Sequence, residues 1–248
     1  MSFLKNIFSF AKEADTYTPD IIVDMHSHVL PMLDDGADNI ETSLVLLSEL
    51  QKIGYKKLIA TPHIMGDFFK NTPQTIFPRL EELKKLAKEK GLSIELEAAA
   101  EYYLDEWFMD RLSKNEKLLT FGDNYLLFEL SYINPSAYVD EAIFILKSQG
   151  YKPVLAHPER YTFWHGNTKV LKEIHDKGVI LQININSLTG YYNRGAQKMA
   201  EELIDMGIVE MLGSDCHGMR HIEAMKKARK TSHYRKALVN VINNTLLV

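Results

Sequence analysis

The chain has 248 residues, of which 46% are apolar and 25% are charged, a balance that suits a globular protein with a sizeable core. Its formal charge of −4 provides no overall positive field, so we expect no nucleic-acid partner. The one cysteine, Cys216, allows no disulfide within the chain, and no apolar run approaches the roughly 20 residues that span a bilayer. We therefore expect a cytoplasmic protein.

The first segment, residues 1–18, has apolar side chains at the spacing of an amphipathic helix, among them Phe3, Ile7 and Phe8. We expect this extension either to pack against the rest of the chain or to touch a membrane surface or a partner. Any other membrane contact is expected to be indirect. The remainder, residues 19–248, contains no repeat or linker and is predicted to be a single domain.

The rest of the chain alternates short apolar runs with longer helical patterns. Helical spacing is clearest over residues 40–53 and 73–90. Continuous apolar strands that alternate with helices indicate a parallel sheet covered by helices. The predicted strands are residues 21–26, 57–61, 93–100, 125–130, 153–157, 179–184 and 208–213.

Residues of metal-ligand type fall at or just past the carboxyl ends of five of these strands. A barrel brings all of its strand ends to one mouth, whereas an open sheet gathers only those near its switch point. We therefore predict an α/β fold in which the seven strands close into a TIM-like barrel. The five residues are His26, His63, Glu101, His157 and Asp215.

The first motif is Asp-Met-His-Ser-His, which contains His26 and His28. Side chains two residues apart on a strand point the same way, so both imidazoles can bind one divalent metal ion. Taken alone, this spacing fits two surface or capping histidines equally well. Asp35, in the Asp-Asp-Gly turn that follows, is predicted to be a further oxygen ligand.

Two more histidines, His63 and His157, directly follow apolar strands, and this repetition favours metal ligands over structural roles. Glu101 closes a run of small residues and is predicted to bridge two ions. The alternative is a solvated glutamate at the start of a helix. Glu97 and Glu129 rank below Glu101 because they lie inside their predicted strands.

Asp215 and His217 follow the last predicted strand and repeat the two-residue spacing. The five histidines and three carboxylates are too many ligands for one ion, so we predict two or three ions that share a carboxylate. Arg160 and Arg220 each lie three residues after a predicted ligand. A guanidinium group matches phosphate oxygens, so we predict that both arginines bind phosphate.

Cys216 could be interpreted as a nucleophile, but cysteine-based phosphatases carry an arginine six residues later, where this chain has Ile222. We interpret Cys216 as a small buried residue. The remaining histidines are expected to be structural or exposed: His165, His175, His221 and His233.

Together these motifs resemble the polymerase-and-histidinol-phosphatase (PHP) superfamily of metal-dependent phosphoesterases. Within it, the chain is most similar to bacterial tyrosine-protein phosphatases of capsule and exopolysaccharide synthesis. The motifs are D-M-H-S-H-V-L-P-x-x-D-D-G, T-P-H, A-H-P-E-R-Y and G-S-D-C-H, within about residues 20–230. The implied ligand sets are His26, His28, Glu101 and Asp215 for one ion, Glu101, His63 and His157 for a second, and Asp35 and His217 for a third.

The resemblance further implies that the seven-stranded TIM-like barrel is distorted. It implies manganese as the usual metal, with iron, zinc or cobalt as alternatives. It implies a phosphotyrosine protein as the partner, namely a tyrosine kinase of polysaccharide assembly. The predicted reaction is hydrolysis of phosphotyrosine monoesters by a metal-activated water, with Arg160 and Arg220 on the phosphoryl group. The alternatives are a small-molecule phosphatase acting on histidinol phosphate, a metal-dependent amidohydrolase and a non-catalytic binding module.

Overall fold

The computed structural model describes residues 20–247, so the predicted extension at residues 1–18 lies outside the described residues. Strands and helices alternate through the described part of the chain. The strands are β1 (Val23–Ser27), β2 (Lys57–Ala60), β3 (His63–Ile64), β4 (Glu95–Ala98), β5 (Glu101–Tyr103), β6 (Tyr125–Glu129), β7 (Lys152–Ala156), β8 (Ile180–Asn184) and β9 (Met211–Gly213). The helices are α1 (Ile40–Ile53), α2 (Pro73–Glu89), α3 (Glu106–Ser113), α4 (Val139–Ser148), α5 (Thr168–Asp176), α6 (Arg194–Asp205), α7 (Met219–Ala228) and α8 (Ser232–Ala237).

Within residues 20–247 the strands form two sheets, and all neighbouring strands are parallel. One sheet has the order β1-β2-β4 and the other the order β3-β5-β6-β7-β8-β9. A parallel bridge between Ser27 and Cys216 links β1 to the segment after β9, and the Asp215 amide donates a 2.8 Å hydrogen bond to the His26 carbonyl. The α/β class is confirmed, but strand pairing does not run continuously around a closed seven-stranded barrel.

Two predicted strands, 57–61 and 93–100, are each followed after a short gap by a second strand that lies past the predicted range, so residues 20–247 contain nine strands where seven were expected. The run at 57–61 breaks at Pro62, whose nitrogen has no hydrogen to donate to a ladder, and resumes as β3. The run at 93–100 breaks after β4 and resumes as β5. A hydrogen bond of 2.8 Å from the Ala99 amide to the Ala60 carbonyl spans the gap. The second half of each strand therefore changes sheet.

Side chains from five strands meet in one fully buried cluster. They are Met25, Ile59, Leu127, Val154 and Met211, from β1, β2, β6, β7 and β9. Such contacts require the two sheets to curve around a common interior. A larger buried cluster packs the helices against the outer faces of the sheets. This curvature brings the carboxyl ends of the strands together at one rim.

The helices follow their local signals. Asn39 caps α1 by accepting a 2.8 Å hydrogen bond from the Thr42 amide, and Gly54, with a φ of 114°, ends the helix. The ends of α1 match the prediction, and α2 ends one residue earlier than predicted. In residues 20–247, no helix combines the length and apolarity that a membrane crossing requires.

Candidate metal centre

Glu101 is fully buried and faces four imidazole rings. Its Oε2 atom lies 3.1 Å from His26 Nε2, 3.3 Å from His28 Nε2 and 3.2 Å from His63 Nδ1. Its Oε1 atom lies 3.0 Å from His157 Nε2. The structure therefore brings together five predicted ligands that are far apart in the sequence.

Asp215 is the second carboxylate of this cluster. Its Oδ1 atom lies 3.5 Å from His26 Nε2, 3.4 Å from His28 Nε2 and 3.4 Å from His217 Nδ1. His217 Nε2 in turn lies 3.2 Å from Oδ1 of Asp35, whose side chain is 61% exposed. All the predicted ligands thus lie in one continuous cluster that runs from the buried Glu101 to the solvent-facing Asp35.

Strained backbone and close packing position several of these ligands. His157 and Asp215 have φ angles of 33° and 47°, a left-handed conformation that is unfavourable for residues other than glycine. Both lie just past a strand, where the chain turns sharply. In the Asp-Asp-Gly turn, a Cβ atom on Gly36 would lie 2.1 Å from the His28 carbonyl oxygen, so only glycine allows this approach.

The hydrogen bonds on the outer side of the rings suit metal-binding histidines. His26 Nδ1 lies 2.8 Å from Gln182 Oε1, and His28 Nδ1 lies 2.7 Å from Asp34 Oδ2. An acceptor at Nδ1 keeps the proton there and leaves the Nε2 lone pair directed into the cluster. The two Nε2 atoms are 3.2 Å apart, which is the convergence that a shared cation requires.

The ligand atoms form four groups, each with its atoms within 4.8 Å of one another. The buried ring nitrogen His157 Nδ1 has no hydrogen-bond partner among the described residues. Mixed imidazole and carboxylate donors suit manganese, iron, zinc and similar divalent ions. The residues therefore fit more than one such ion. The groups are His28, Asp35, His63 and His217; His26, His28 and Glu101; His26, His157 and Asp215; and His63, Glu101 and Glu129.

Opposite charges dominate the electrostatics of the cluster. Burial alone would raise the pKa of Glu101, but the imidazoles of His26 and His63 hold that pKa well below its usual range. Burial alone would lower the pKa of His63, but Glu101 and Glu129 raise it to about 9. Without a metal ion the cluster thus balances its carboxylates with protons, which divalent cations would displace on binding.

Arg160 reaches the cluster from the tight turn after His157. Its Nη1 atom lies 2.9 Å from Asp215 Oδ2. The guanidinium is sandwiched between two aromatic rings, 4.4 Å from the centroid of Tyr132 and 4.1 Å from that of Tyr192. Stacking on both faces leaves the edge of the guanidinium free to bind an anion.

Arg160 and part of the cluster line an open cavity of about 720 Å³. The cluster residues in this lining are Asp35, His63, Glu129, Asp215 and His217. This volume lies in the range of small-molecule binding sites and exceeds what metal ions alone need. Another part of the lining is apolar and aromatic, and includes Met65, Phe69 and Tyr132. The cavity therefore combines an ion-binding cluster with a surface suited to an aromatic group.

The comparisons with known proteins agree with this geometry. A family model described as capsular polysaccharide synthesis, CpsB/CapC, matches residues 22–243. The chain belongs to the CpsB/CapC family. It is 26% identical over 199 residues to tyrosine-protein phosphatase YwqE of Bacillus subtilis, covering 80% of this chain and 78% of that protein. It is also 26% identical over 203 residues to tyrosine-protein phosphatase CpsB of Streptococcus pneumoniae, covering 80% and 84%.

A solved structure supports the same fold for this CpsB/CapC family member. It comes from work on YwqE from Bacillus subtilis and CpsB from Streptococcus pneumoniae, described as unique metal-dependent tyrosine phosphatases. The match has a TM-score of 0.79 at 24% sequence identity and covers 91% of this chain and 94% of the other. The predicted resemblance to capsule-associated tyrosine phosphatases is thus confirmed at the level of the family.

Two carboxylates of this CpsB/CapC chain were ranked low or left out in the sequence analysis. Glu129 is the last residue of β6 and lies 2.9 Å from His63 Nδ1 through its Oε1 atom. The position of Glu129 at the end of a strand could have marked it as a candidate ligand, but the predicted strand extended one residue past it. Asp34 binds His28 Nδ1 and also accepts a 3.0 Å hydrogen bond from the His63 amide, so it orients two ligands.

Arg220 lies outside the lining of this cavity, so its predicted contact with phosphate stays a prediction. It lies exposed in the first turn of α7 and lines a separate surface cavity with Tyr191 and Glu223. Its spacing from His217 equals that of Arg160 from His157. The difference is that a tight turn carries Arg160 back over the cluster, whereas α7 begins at Met219 and leads Arg220 away.

His221 was expected to be structural or exposed, but it lines the cavity. Its ring centroid lies 5.4 Å from that of His217, and burial lowers its pKa to about 4, which keeps the ring neutral. It reaches the cavity from a helix and not from a strand end, so strand patterns carry no signal for it. The cavity lining does not include the other three histidines, His165, His175 and His233.

Cys216 lies between Asp215 and His217 but is fully buried. Burial raises the pKa of its thiol to about 12. Such a thiol forms almost no thiolate near neutral pH and is a poor nucleophile. The interpretation of Cys216 as a small buried residue is confirmed.

Proposed function

We propose that this chain is a metal-dependent protein-tyrosine phosphatase that hydrolyses phosphotyrosine monoesters in the control of capsular or exopolysaccharide synthesis. The observation that carries this proposal is the contact of four imidazoles with the buried Glu101, beside a cavity that is lined by His63, Asp215 and Arg160. Membership of the CpsB/CapC family and the activity named for YwqE and CpsB support it.

The ligand groups described above would hold two or three divalent ions, manganese first, with iron, zinc or cobalt as alternatives. Bound ions supply charge neutralisation for a phosphate group and a lowered pKa for a coordinated water. Glu101 would be a shared ligand, because its two carboxylate oxygens face different histidines. Glu129, which faces His63, would join the same set.

Arg160 would bind the oxygens of the phosphoryl group through the free edge of its guanidinium. Asp215 holds this arginine in place, and Asn184 Nδ2 donates a 2.7 Å hydrogen bond to the same Asp215 oxygen. The fixed positive charge stabilises the negative charge on the equatorial oxygens as the ester bond breaks. A phenolate leaves more readily than an alkoxide, so the reaction needs little help from a general acid.

The proposal extends to the fold, the partner and the location. If β2 with β3 and β4 with β5 are each counted as one interrupted strand, the described strands form a distorted barrel of seven positions. The bridge between Ser27 and Cys216 supports closure between β1 and β9. The proposed partner is a tyrosine kinase of polysaccharide assembly, and the proposed location is the cytoplasm.

Side-by-side turnover of a phosphotyrosine peptide and of histidinol phosphate by the purified, manganese-supplemented protein tests this function. We expect kcat/KM to be at least about 100-fold higher for the peptide, because the cavity lining offers apolar contacts to a tyrosine ring. Faster turnover of histidinol phosphate would contradict the proposal in favour of a small-molecule phosphatase. Amide hydrolysis without phosphate release would point instead to an amidohydrolase.

A further inference from the structure

Two large apolar side chains are exposed at the cavity. Phe68, in the loop between β3 and α2, is 79% exposed, and Ile133, in the loop between β6 and α4, is 70% exposed. Single exposed apolar residues are ordinary on protein surfaces. These two differ because they come from separate loops and line the same cavity as the ion-binding cluster. We call Phe68 and Ile133 the mouth pair.

The loop that carries Phe68 is held in its conformation by hydrogen bonds. The Met65 amide donates to the Phe69 carbonyl at 2.9 Å, and the Gly66 amide donates to Asp105 Oδ2 at 2.9 Å. Phe69 also stacks on the ring of a cluster histidine, with centroids 5.6 Å apart. The exposure of Phe68 therefore results from an anchored backbone, which presents the side chain to solvent.

The loop that carries Ile133 is anchored next to the phosphate-binding arginine. The Tyr132 carbonyl accepts a 3.0 Å hydrogen bond from the Thr162 amide, and the Tyr132 ring stacks on Arg160. The Asn134 amide donates to Ser131 Oγ at 3.2 Å. Ile133 thus follows directly after a residue that contacts Arg160, so a chain entering the cavity with a phosphate on Arg160 would pass Ile133.

We propose that the mouth pair is a docking surface for apolar side chains that flank the phosphotyrosine in a polypeptide substrate. This inference rests on the proposed function and adds a preference for sequence around the phosphotyrosine. In an extended peptide, neighbouring side chains are spaced about 3.3 Å per residue along the chain, so flanking residues stay at the mouth while the phosphotyrosine enters. Apolar flanking side chains would cover Phe68 and Ile133 and remove their surface from water.

The charges at the cavity favour a polypeptide over a lipid surface. Among the described residues that line it, one is an arginine, Arg160, which Asp215 already holds, and none is a lysine. Asp35, with a 61% exposed side chain, adds a carboxylate to the same lining. Binding to anionic membranes depends on clustered basic residues around the apolar ones. A small substrate such as histidinol phosphate would leave the mouth pair uncovered.

The test compares two phosphotyrosine peptides of equal length and charge, one with leucine and phenylalanine beside the phosphotyrosine and one with glycine and serine. We expect the manganese-loaded wild-type protein to prefer the apolar-flanked peptide by about tenfold in kcat/KM. The double variant Phe68→Ala, Ile133→Ala should lose most of this preference. The matched control, Phe144→Ala with Val239→Ala, removes side chains that are 74% and 71% exposed elsewhere and should retain it.

The preference is the ratio of the kcat/KM values for the two peptides on one sample. A loss of active protein lowers both values equally and leaves the ratio unchanged. An unchanged preference in the mouth-pair variant, or an equal loss in the control variant, would overturn the docking surface.

Turnover of phenyl phosphate in the same samples reports the proposed function separately. If no ester is hydrolysed, the proposed function fails. The docking surface is then tested by the binding of the two peptides, measured by fluorescence anisotropy. Tighter binding of the apolar-flanked peptide to the wild-type protein supports the docking surface, and equal binding overturns it. Sedimentation with phosphatidylcholine vesicles that depends on the mouth pair would also overturn it, in favour of a membrane contact.

Discussion

Charged side chains lie at both ends of the strands, but they are balanced in different ways. At the amino end, Arg229 Nη2 lies 2.6 Å from Asp20 Oδ2, and its guanidinium lies 5.2 Å from the ring centroid of Tyr55. At the carboxyl end, the buried carboxylates Glu101 and Asp215 face mainly imidazoles. The amino end is therefore closed by a permanent cation of the protein, whereas the carboxyl end depends largely on protons or bound ions.

This difference separates stability from function. A mostly buried guanidinium without an anion destabilises a fold, so the pairing of Arg229, whose side chain is 10% exposed, with the 52% exposed Asp20 stabilises the protein without a bound ion. The carboxyl end collects imidazoles and carboxylates that donate electron pairs, and apart from Arg160 its positive charge comes from protons or from bound cations. We expect substitutions at the carboxyl end to affect ion binding and catalysis first, and substitutions at the amino end to affect the free energy of unfolding.

The largest effect is expected from Glu101→Gln, which keeps the shape of the side chain but removes its charge. Loss of the shared carboxylate should lower metal content and reduce kcat/KM for phosphotyrosine peptide at least about 1000-fold. The matched control is Glu97→Gln, because Glu97 lies in β4, four residues before Glu101, and its side chain is 40% exposed. Activity of the Glu101 variant above about a tenth of wild type would contradict its role.

His157→Ala should likewise abolish turnover while the circular dichroism spectrum remains that of the folded protein.

The two arginines sharpen the comparison within the carboxyl end. Arg160→Lys should lower kcat/KM about 100-fold, because lysine lacks the planar fork and does not stack between Tyr132 and Tyr192 in the same way. Arg220→Lys should stay within about twofold of wild type, since this exposed side chain lies outside the cavity lining. Steady-state kinetics of both variants on one phosphopeptide measures the difference. An equal loss of kcat/KM in both variants would support the predicted contact of Arg220 with phosphate.

The affinity for metal should depend on pH. Burial would lower the pKa of His63, but Glu101 and Glu129 raise it to about 9, so the ring is protonated at neutral pH in the absence of metal. An ion that binds His63 must displace this proton, so affinity falls as pH falls, by about tenfold per pH unit for each proton displaced. Calorimetric titration with manganese at pH 6, 7 and 8 measures the slope. A flat profile would show that His63 is not a ligand.

At the amino end, Arg229→Met should lower the free energy of unfolding by about 1–2 kcal/mol through loss of the ion pair and the cation–π contacts. Metal content and kcat should not change. Urea denaturation measures the stability, with Arg235→Met as the control because Arg235 is exposed on α8. Loss of metal in the Arg229 variant would remove the distinction between the two ends.

The smallest effect is expected at Cys216. Its thiol has a pKa of about 12 because it is buried, so iodoacetamide at pH 7.5 should modify less than about a tenth of the folded protein. Mass spectrometry measures the modification and a parallel assay measures activity. Rapid stoichiometric modification with loss of activity would show that the thiol is accessible and close to the reaction.

The convergence of the predicted ligands followed from the sequence because apolar runs mark the strands, and parallel strands in curved sheets bring their carboxyl ends together. This reasoning predicted that His63 and His157 join the cluster, because each follows a short apolar run. It ranked Glu129 low because its strand was predicted one residue too long, and a shift of one residue decides whether a side chain is at a strand end.

Features that depend on tertiary contacts were not predictable. Arg160 and Arg220 have the same spacing from a ligand, and only the backbone path after each ligand separates them. His221 and Tyr192 reach the cavity from segments without a strand-end pattern. The interruption at Pro62 was visible as a residue type, but the change of sheet that follows it depends on the pairing of all the neighbouring strands.

One measurement tests the central claim, that the converging histidines and carboxylates form a cation site that enables phosphotyrosine hydrolysis. Metal content, by plasma mass spectrometry, and peptide turnover are measured on the same full-chain sample before chelation, after chelation and after manganese is added back. We expect two or three ions per chain at the start, turnover below about 1% after chelation, and recovery with manganese. Hydrolysis that persists after all metal has been removed would contradict the account.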